Sequence, residues 1–264
     1  MRVKGAARIV KVSVLASSSS GNCTLIATER TRLLVDAGLS RKETFERLLA
    51  MGVDPETLDA ILITHEHTDH VAGLPVIVKK LNIPIYLSRL TAPAIGWEDC
   101  IPKLELFQAG ASFNIGDIDV ASFTIPHDAA DPVGYSFRAH GIKVSIATDL
   151  GYLPESVKFH LRGSDLLLLE FNHDVEMLKV GPYPWSVKQR VMGRMGHLSN
   201  DSAAAFVREE LDSRTSALIL GHLSEHNNHP ALAEQAAAMA LEGRRLFTKL
   251  VIADPRRGAE TFVY

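Results

Sequence analysis

The chain has 264 residues, 46% of them hydrophobic and 22% charged, the balance of a soluble globular protein long enough for a large core. Its net charge of −3 and pI of about 6.4 leave no global positive field that would advertise nucleic acid, although a local basic groove fits on a mildly acidic protein. Cys23 and Cys100 stand at unrelated positions, which excludes a disulfide framework or a Cys-x-x-Cys ligand pair and leaves reduced, buried thiols of a cytoplasmic protein.

Arg2, Lys4, Arg8 and Lys11 precede a short apolar stretch in the manner of a signal peptide. The stretch is too short and Lys11 interrupts it, so residues 9–16 read as a first strand. No apolar run approaches membrane-spanning length. The serine run at 17–20 with Gly21 and Asn22 suits a tight turn before a strand over 23–27, and Ser19 and Asn22 could also face a ligand there. A strand over 31–35 ends in Asp36-Ala37-Gly38, where the Asp either caps a turn or holds the second nitrogen of a metal-bound histidine. Ser40-Arg41-Lys42-Glu43 is a capping box that opens a helix through Met51, with Phe45, Leu48 and Leu49 on one face and Gly52 ending it.

The apolar run Ile61-Leu62-Ile63 then stops abruptly at Thr64-His65-Glu66-His67-Thr68-Asp69-His70. A turn can aim three histidines and a carboxylate at one point, and both donor types suit zinc, manganese or iron. A solvated polar turn is the plain alternative, but histidine is a rare surface filler. Four ligands in so short a span exceed one tetrahedral site that also draws on distant residues. The spacing therefore suggests two adjacent metals, with His65 and His67 on one and Asp69 and His70 on the other.

Residues 71–81 look helical, with Pro75 in the first turn, and 83–87 form a strand. Strands over 104–107, 112–115, 118–125, 133–138 and 143–148 read as a meander of hairpins turned at Ala109-Gly110, Gly116-Asp117 and His140-Gly141. His127 and Asp149 interrupt the pattern at strand ends, where inward-facing ligands would sit. The chain then alternates: a strand over 165–170, helices over 185–192 and 199–211, a strand over 217–221 running into His222, a helix over 230–242, and strands over 249–253 and 261–264. Nothing divides it, so one α+β domain over 1–264 is expected.

The ordered set H-x-H-x-D-H, His127, Asp149 and His222 resembles the metallo-β-lactamase superfamily across nearly the whole chain. The resemblance implies an αβ/βα sandwich of two packed mixed β-sheets flanked by helices, with a dinuclear site at one edge. It implies that His65, His67 and His127 bind one divalent metal, that Asp69, His70 and His222 bind the other, that Asp149 bridges, and that Asp36 supports a ligand from behind. Zinc or manganese would serve, and iron fits the same donors. Two further segments resemble the transfer-RNA-processing nucleases of the tRNase Z type: Leu169-Glu170-Phe171-Asn172 and Gly196-His197-Leu198-Ser199. There the matching His–Glu pair assists leaving-group protonation, which falls here on His197 and Glu170.

Segments 15–22, 36–40, 148–152, 170–178, 181–185, 196–200 and 222–224 are similar to a smaller bacterial group, the YycJ/WalJ-type (VicX) nucleases. That group implies a cytoplasmic nuclease, including 5′-to-3′ exonuclease action on DNA, which favours DNA over RNA as substrate. The expected chemistry is phosphodiester hydrolysis by a bridging hydroxide, with Asp69, Glu170 and His197 taking part. A small-molecule cyclic phosphodiesterase is the alternative, and a thioester or lactone hydrolase a more distant one. Substrate-contact candidates are Ser19, Asn22, Asn172, His173, Lys188, Arg190, Arg194 and His226, with Tyr183 and Trp185 as stacking surfaces. Lys and Arg on a solvated helix, and a packed Trp185, explain those residues equally simply. His140, His160 and His229 read as turn or surface residues, and Arg256 and Arg257 as a turn.

Overall fold

A computed structural model describes residues 9–97, 102–242, 244, 247–254 and 257–264. Cys100, Arg256 and the basic residues Arg2, Lys4 and Arg8 lie outside them. The first half builds β1 (Lys11–Ser18), β2 (Gly21–Ala27), β3 (Arg32–Val35), α1 (Arg41–Ala50), β4 (Ala60–Leu62), α2 (Thr68–Val71), α3 (Leu74–Lys80), β5 (Ile85–Ser88) and β6 (Leu104–Phe107). The second half builds β7 (Ser112–Ile115), β8 (Ile118–Thr124), β9 (Val133–Ala139), β10 (Ile142–Ala147), α4 (Glu155–Leu161), β11 (Leu166–Glu170), α5 (Val175–Val180), α6 (Trp185–Val191) and α7 (Asn200–Glu210). It ends in β12 (Ala217–Gly221), α8 (Pro230–Leu241), β13 (Lys249–Ile252) and β14 (Phe262–Val263).

Two seven-stranded mixed sheets result, in the orders β14-β1-β2-β3-β4-β5-β6 and β13-β12-β11-β10-β9-β8-β7. The central strands β2, β4, β11 and β12 are buried along their whole length, whereas β7 and β8 alternate between the core and solvent. In β11, Leu166 and Leu168 enter the core between the sheets while Leu167 and Leu169 enter the core beneath the helices of the second half. In β4, Ala60 and Leu62 face the central core, and Ile61 packs under the helices of the first half. Period-two alternation thus divides each continuous apolar run between two cores. The outcome is the expected sandwich of two mixed sheets flanked by helices.

Local chemistry explains the boundaries. Ser40 caps α1 by accepting from the Glu43 N–H at 3.2 Å, and Ser199 caps α7 by accepting from Ser202. The expected helix over 71–81 is two helices, broken at Gly73, with Pro75 in the first turn of α3. The hairpin expected at Ala109-Gly110 is absent. β6 pairs in parallel with β5 in the first sheet, and β7 begins the second, so this turn carries the chain between sheets. A turn sequence specifies a local reversal but not which edge receives the next strand. Two short helices, α4 and α5, carry no strong periodicity and were not anticipated. Among the described residues no helix is long and apolar enough to cross a membrane.

Candidate metal centre

The parallel pairs β3–β4 and β10–β11–β12 set their carboxyl ends at one rim of the sandwich, the usual place for a site in parallel sheets. Asp36 follows β3, the histidine-rich loop follows β4, Asp149 follows β10, Glu170 ends β11 and His222 follows β12. Asp36, Asp149 and His222 all adopt left-handed backbone, with φ of 60°, 60° and 54°. That conformation turns each side chain off its strand axis toward the rim, and Asp and His are among the residues that tolerate it.

The loop is held by hydrogen bonds that choose each ring's free nitrogen. Asp36 Oδ1 accepts from the Thr64 N–H at 2.8 Å, and Asp36 Oδ2 accepts from His70 Nδ1 at 2.8 Å, leaving His70 Nε2 without a proton and facing the Asn22 amide at 3.0 Å. The Thr64 hydroxyl donates to Asp36 at 3.0 Å and meets His65 Nδ1 at 3.0 Å, which frees His65 Nε2. His127 Nδ1 donates to the Gly196 carbonyl at 3.1 Å, so its Nε2 faces His67 Nδ1 at 3.3 Å. Glu170 Oε1 receives both His222 Nδ1 at 2.9 Å and His197 Nδ1 at 2.8 Å. Its other oxygen takes the backbone N–H groups of Leu150 and Leu198, each at 3.0 Å.

The freed atoms converge. His65, His67 and His127 form one group, and Asp69, His70, Asp149 and His222 a second, with donor atoms in each group within 4.8 Å of one another. Asp149 lies between them, 3.2 Å from His70 Nε2 and 4.0 Å from His127 Nε2. A third group joins Asp149 and His222 to Glu170 and His197.

Electrostatics shows what this arrangement demands. Burial alone would lower His222, but Asp149, then Asp69 and Glu170, push it up to about 10. Burial likewise opposes a proton on His70, and the charges of Asp36 and Asp149 outweigh it. Burial works to raise Asp149 and Asp69, yet the neighbouring histidines hold both carboxyls well below the usual range. His65 goes the other way, lowered by burial and by His70. Its Nε2 and Asp149 Oδ2 are buried without a hydrogen-bond partner. The two orphaned atoms lie among convergent nitrogen and carboxylate donors, a set that fits divalent metal ions.

Other sequence candidates separate cleanly. Asn22 reaches the centre, donating to Asp69 Oδ2 at 3.1 Å, whereas Ser19 is exposed at the turn tip. Asn172 braces the loop beyond β12 by donating to the His222 carbonyl at 2.9 Å. His173 is buried outside the ligand groups, and burial pushes it down to about 4. Lys188 is not a surface cation: it is buried, and its ammonium donates to the Lys179 carbonyl at 2.7 Å. Arg190 pairs with Asp128, and Arg194 lies 4.1 Å over the Tyr152 ring. His226 is exposed with its ring 6.0 Å from that of Tyr183, and Trp185 is exposed rather than packed. His160 is not a free surface residue but stacks on Phe123 at 4.7 Å, and His229 caps α8.

Residues 31–222 match the model of the beta-lactamase superfamily domain. Over 235 residues the chain is 38% identical to exodeoxyribonuclease YycJ of Bacillus anthracis, covering 87% of this chain and 88% of that one. The chain belongs to the beta-lactamase superfamily. It is also 40% identical over 228 residues to exodeoxyribonuclease WalJ of Streptococcus pneumoniae, covering 84% of this chain and 85% of that one. The crystal structure of the metallo-beta-lactamase fold protein YhfI from Bacillus subtilis superposes with a TM-score of 0.74 at 18% identity, covering 97% of this chain and all of that one.

Within this superfamily fold, three contributors escaped the sequence reading. Thr64 links Asp36 to two histidines, and only its place ahead of the motif hints at that. Asp128, beside His127, reads as a loop residue, and no side-chain pattern marks the Gly196 carbonyl.

Proposed function

We propose that this chain is a metal-dependent nuclease that hydrolyses phosphodiester bonds of DNA from a strand end. The observation that carries this reading is the shared carboxylate Asp149 between two donor groups, with the Glu170–His197 pair bonded beside it. His65, His67 and His127 would hold one divalent cation, and Asp69, His70 and His222 the other, with Asp149 common to both and Asp36 orienting His70. Zinc and manganese suit these donors, and iron does also. When bound, the two cations supply Lewis acidity, neutralising phosphate charge and acidifying water.

The chain's own residues would do the rest. Glu170 fixes His197 with Nδ1 protonated, so Nε2 is the atom offered to substrate. Burial disfavours a charged His197, but the Glu170 carboxylate and its hydrogen bond outweigh that and raise it above the ordinary value. A histidine so held favours its protonated form and can pass the proton to the leaving oxygen as general acid. Asp69, tied to Asn22 and His222, keeps its carboxylate ionised at the reacting centre. The relatives named exodeoxyribonucleases support DNA as the substrate class.

Digestion of end-labelled linear strands, blocked-end strands and circular DNA, with RNA counterparts and each metal restored, tests the reading. Stepwise loss from free DNA ends is expected. Metal-loaded protein that cleaves no phosphodiester of any kind would overturn it.

A further inference from the structure

Two arginines, Arg190 and Arg194, lie on the stretch that borders the candidate centre, and each is already tied down. Arg190, exposed on α6, bonds through Nε to Asp128 Oδ2. The other oxygen of that carboxylate is buried, has no hydrogen-bond partner, and lies 3.6 Å from His127 Nε2. Arg194 is exposed with its guanidinium 4.1 Å over the ring of Tyr152, in the segment that follows Asp149. Both arginines belong to a stretch packed directly on the ligand loops. The Asp128 N–H donates to the Met195 carbonyl at 3.0 Å, and His127 Nδ1 donates to that of Gly196 at 3.1 Å. A Cβ on Gly151 would stand 2.4 Å from the Arg194 carbonyl, so the two segments touch backbone to backbone.

A guanidinium held by one edge or one face keeps further N–H donors free and loses less freedom when it binds. Planar forked donors match phosphate oxygens. The neighbouring Lys188 offers no such donor, because its ammonium is spent on a backbone carbonyl. We propose that Arg190 and Arg194 form a preset grip on backbone phosphates of the DNA strand, on the His65–His67–His127 side of the centre. One carboxylate separates Arg190 from the ligating nitrogen of His127, so the gripped phosphates adjoin the one being cleaved. This proposal rests on the nuclease reading and says which wall of the site holds the strand.

The test is binding of a fluorescein-labelled, cleavage-resistant phosphorothioate DNA single strand to metal-loaded protein, followed by anisotropy over a salt series. Each phosphate contact removed from a single strand lowers the slope of log K against log salt by about 0.7. Arg190→Gln and Arg194→Gln should each show that loss with a roughly tenfold rise in Kd at low salt. The double variant should lose about twice as much slope. On cleavable strands, KM should rise more than kcat falls. Metal content and melting temperature certify each variant. Should Arg190→Gln fail to fold, Tyr152→Leu frees Arg194 without touching Asp128 and should still weaken binding. A double variant with the wild-type slope overturns the grip, as does weaker binding at unchanged slope. A slope change seen with RNA and absent with DNA overturns the assignment to DNA. Wild-type protein that shows the slope but cleaves nothing sinks the nuclease reading and leaves the grip standing; cleavage with unaltered variant slopes does the reverse.

Discussion

His197 is part-exposed beside Glu170, whereas Asp36 is buried behind His70. His197→Ala should lower kcat about 10²–10⁴-fold while leaving metal content intact. The pH profile carries the sign. A general acid must be protonated, so wild-type kcat should decline on the alkaline side of a pH above the ordinary 6.5, and the variant should lack that limb. Asp36→Asn should act on metal instead. It removes the acceptor for His70 Nδ1–H and should weaken metal binding about 10–100-fold, read by titration with a chromophoric chelator. Lys143 gives a test of stability away from the centre. Burial, then Arg138, push its ammonium from 10.5 down to about 8, and Nζ donates to the Arg162 carbonyl at 2.6 Å. Below pH 8 both folded and unfolded chains hold the proton, and the penalty for burying it is fully present. Between pH 8 and 10.5 the unfolded chain holds more protons, so wild-type stability from this group rises with pH. Urea unfolding of Lys143→Met against wild type at pH 7 and pH 10 should show the comparison shift in favour of wild type at the higher pH.

At the scale of elements, the loops depend on how closely backbone can approach backbone. Gly38, two residues after Asp36, lies where a Cβ would stand 1.7 Å from the Asp69 carbonyl. Gly38→Ala should therefore push the Asp36 segment and the histidine loop apart. A stability loss of about 3 kcal/mol or more in urea unfolding, with metal lost in parallel, is the expected outcome. The residues that converge at the rim were legible because metal chemistry restricts residue type and the motif is compact. Asp149 and His222 were legible only as polar residues ending apolar strands. Lys188 was misread for a reason of geometry: charge suggests exposure, but its place on α6 points it inward to a free carbonyl. The crossing between β6 and β7 was hidden because strand partners are chosen by packing, which a turn motif does not encode.

Across the whole molecule, the core between the sheets and the core under the first-half helices are tied together beneath the centre. The Tyr135 hydroxyl, from the second sheet, donates to the Ile63 carbonyl of the first at 2.7 Å, immediately before Thr64. The rim is thus a point where the sheets meet and where histidine nitrogens and carboxylate oxygens converge. A cation held by these donors only in the folded chain should stabilise that state by mass action. Chelation should lower the melting temperature, and restoring zinc or manganese should recover it. At free metal of a hundred times Kd the gain is about 2.7 kcal/mol.

The left-handed backbone at Asp36, Asp149 and His222 limits how this rim can change over mutation. Each position combines a side-chain task, bonding His70 at Asp36 and joining the donor groups at Asp149 and His222, with a twist that costs most residues about 1–2 kcal/mol. An alanine scan would therefore confound lost chemistry with imposed strain. Asparagine, which accepts the same twist, separates the two. A substitution history at these three sites should accordingly move among Asp, Asn, His and Gly long before it visits a β-branched residue.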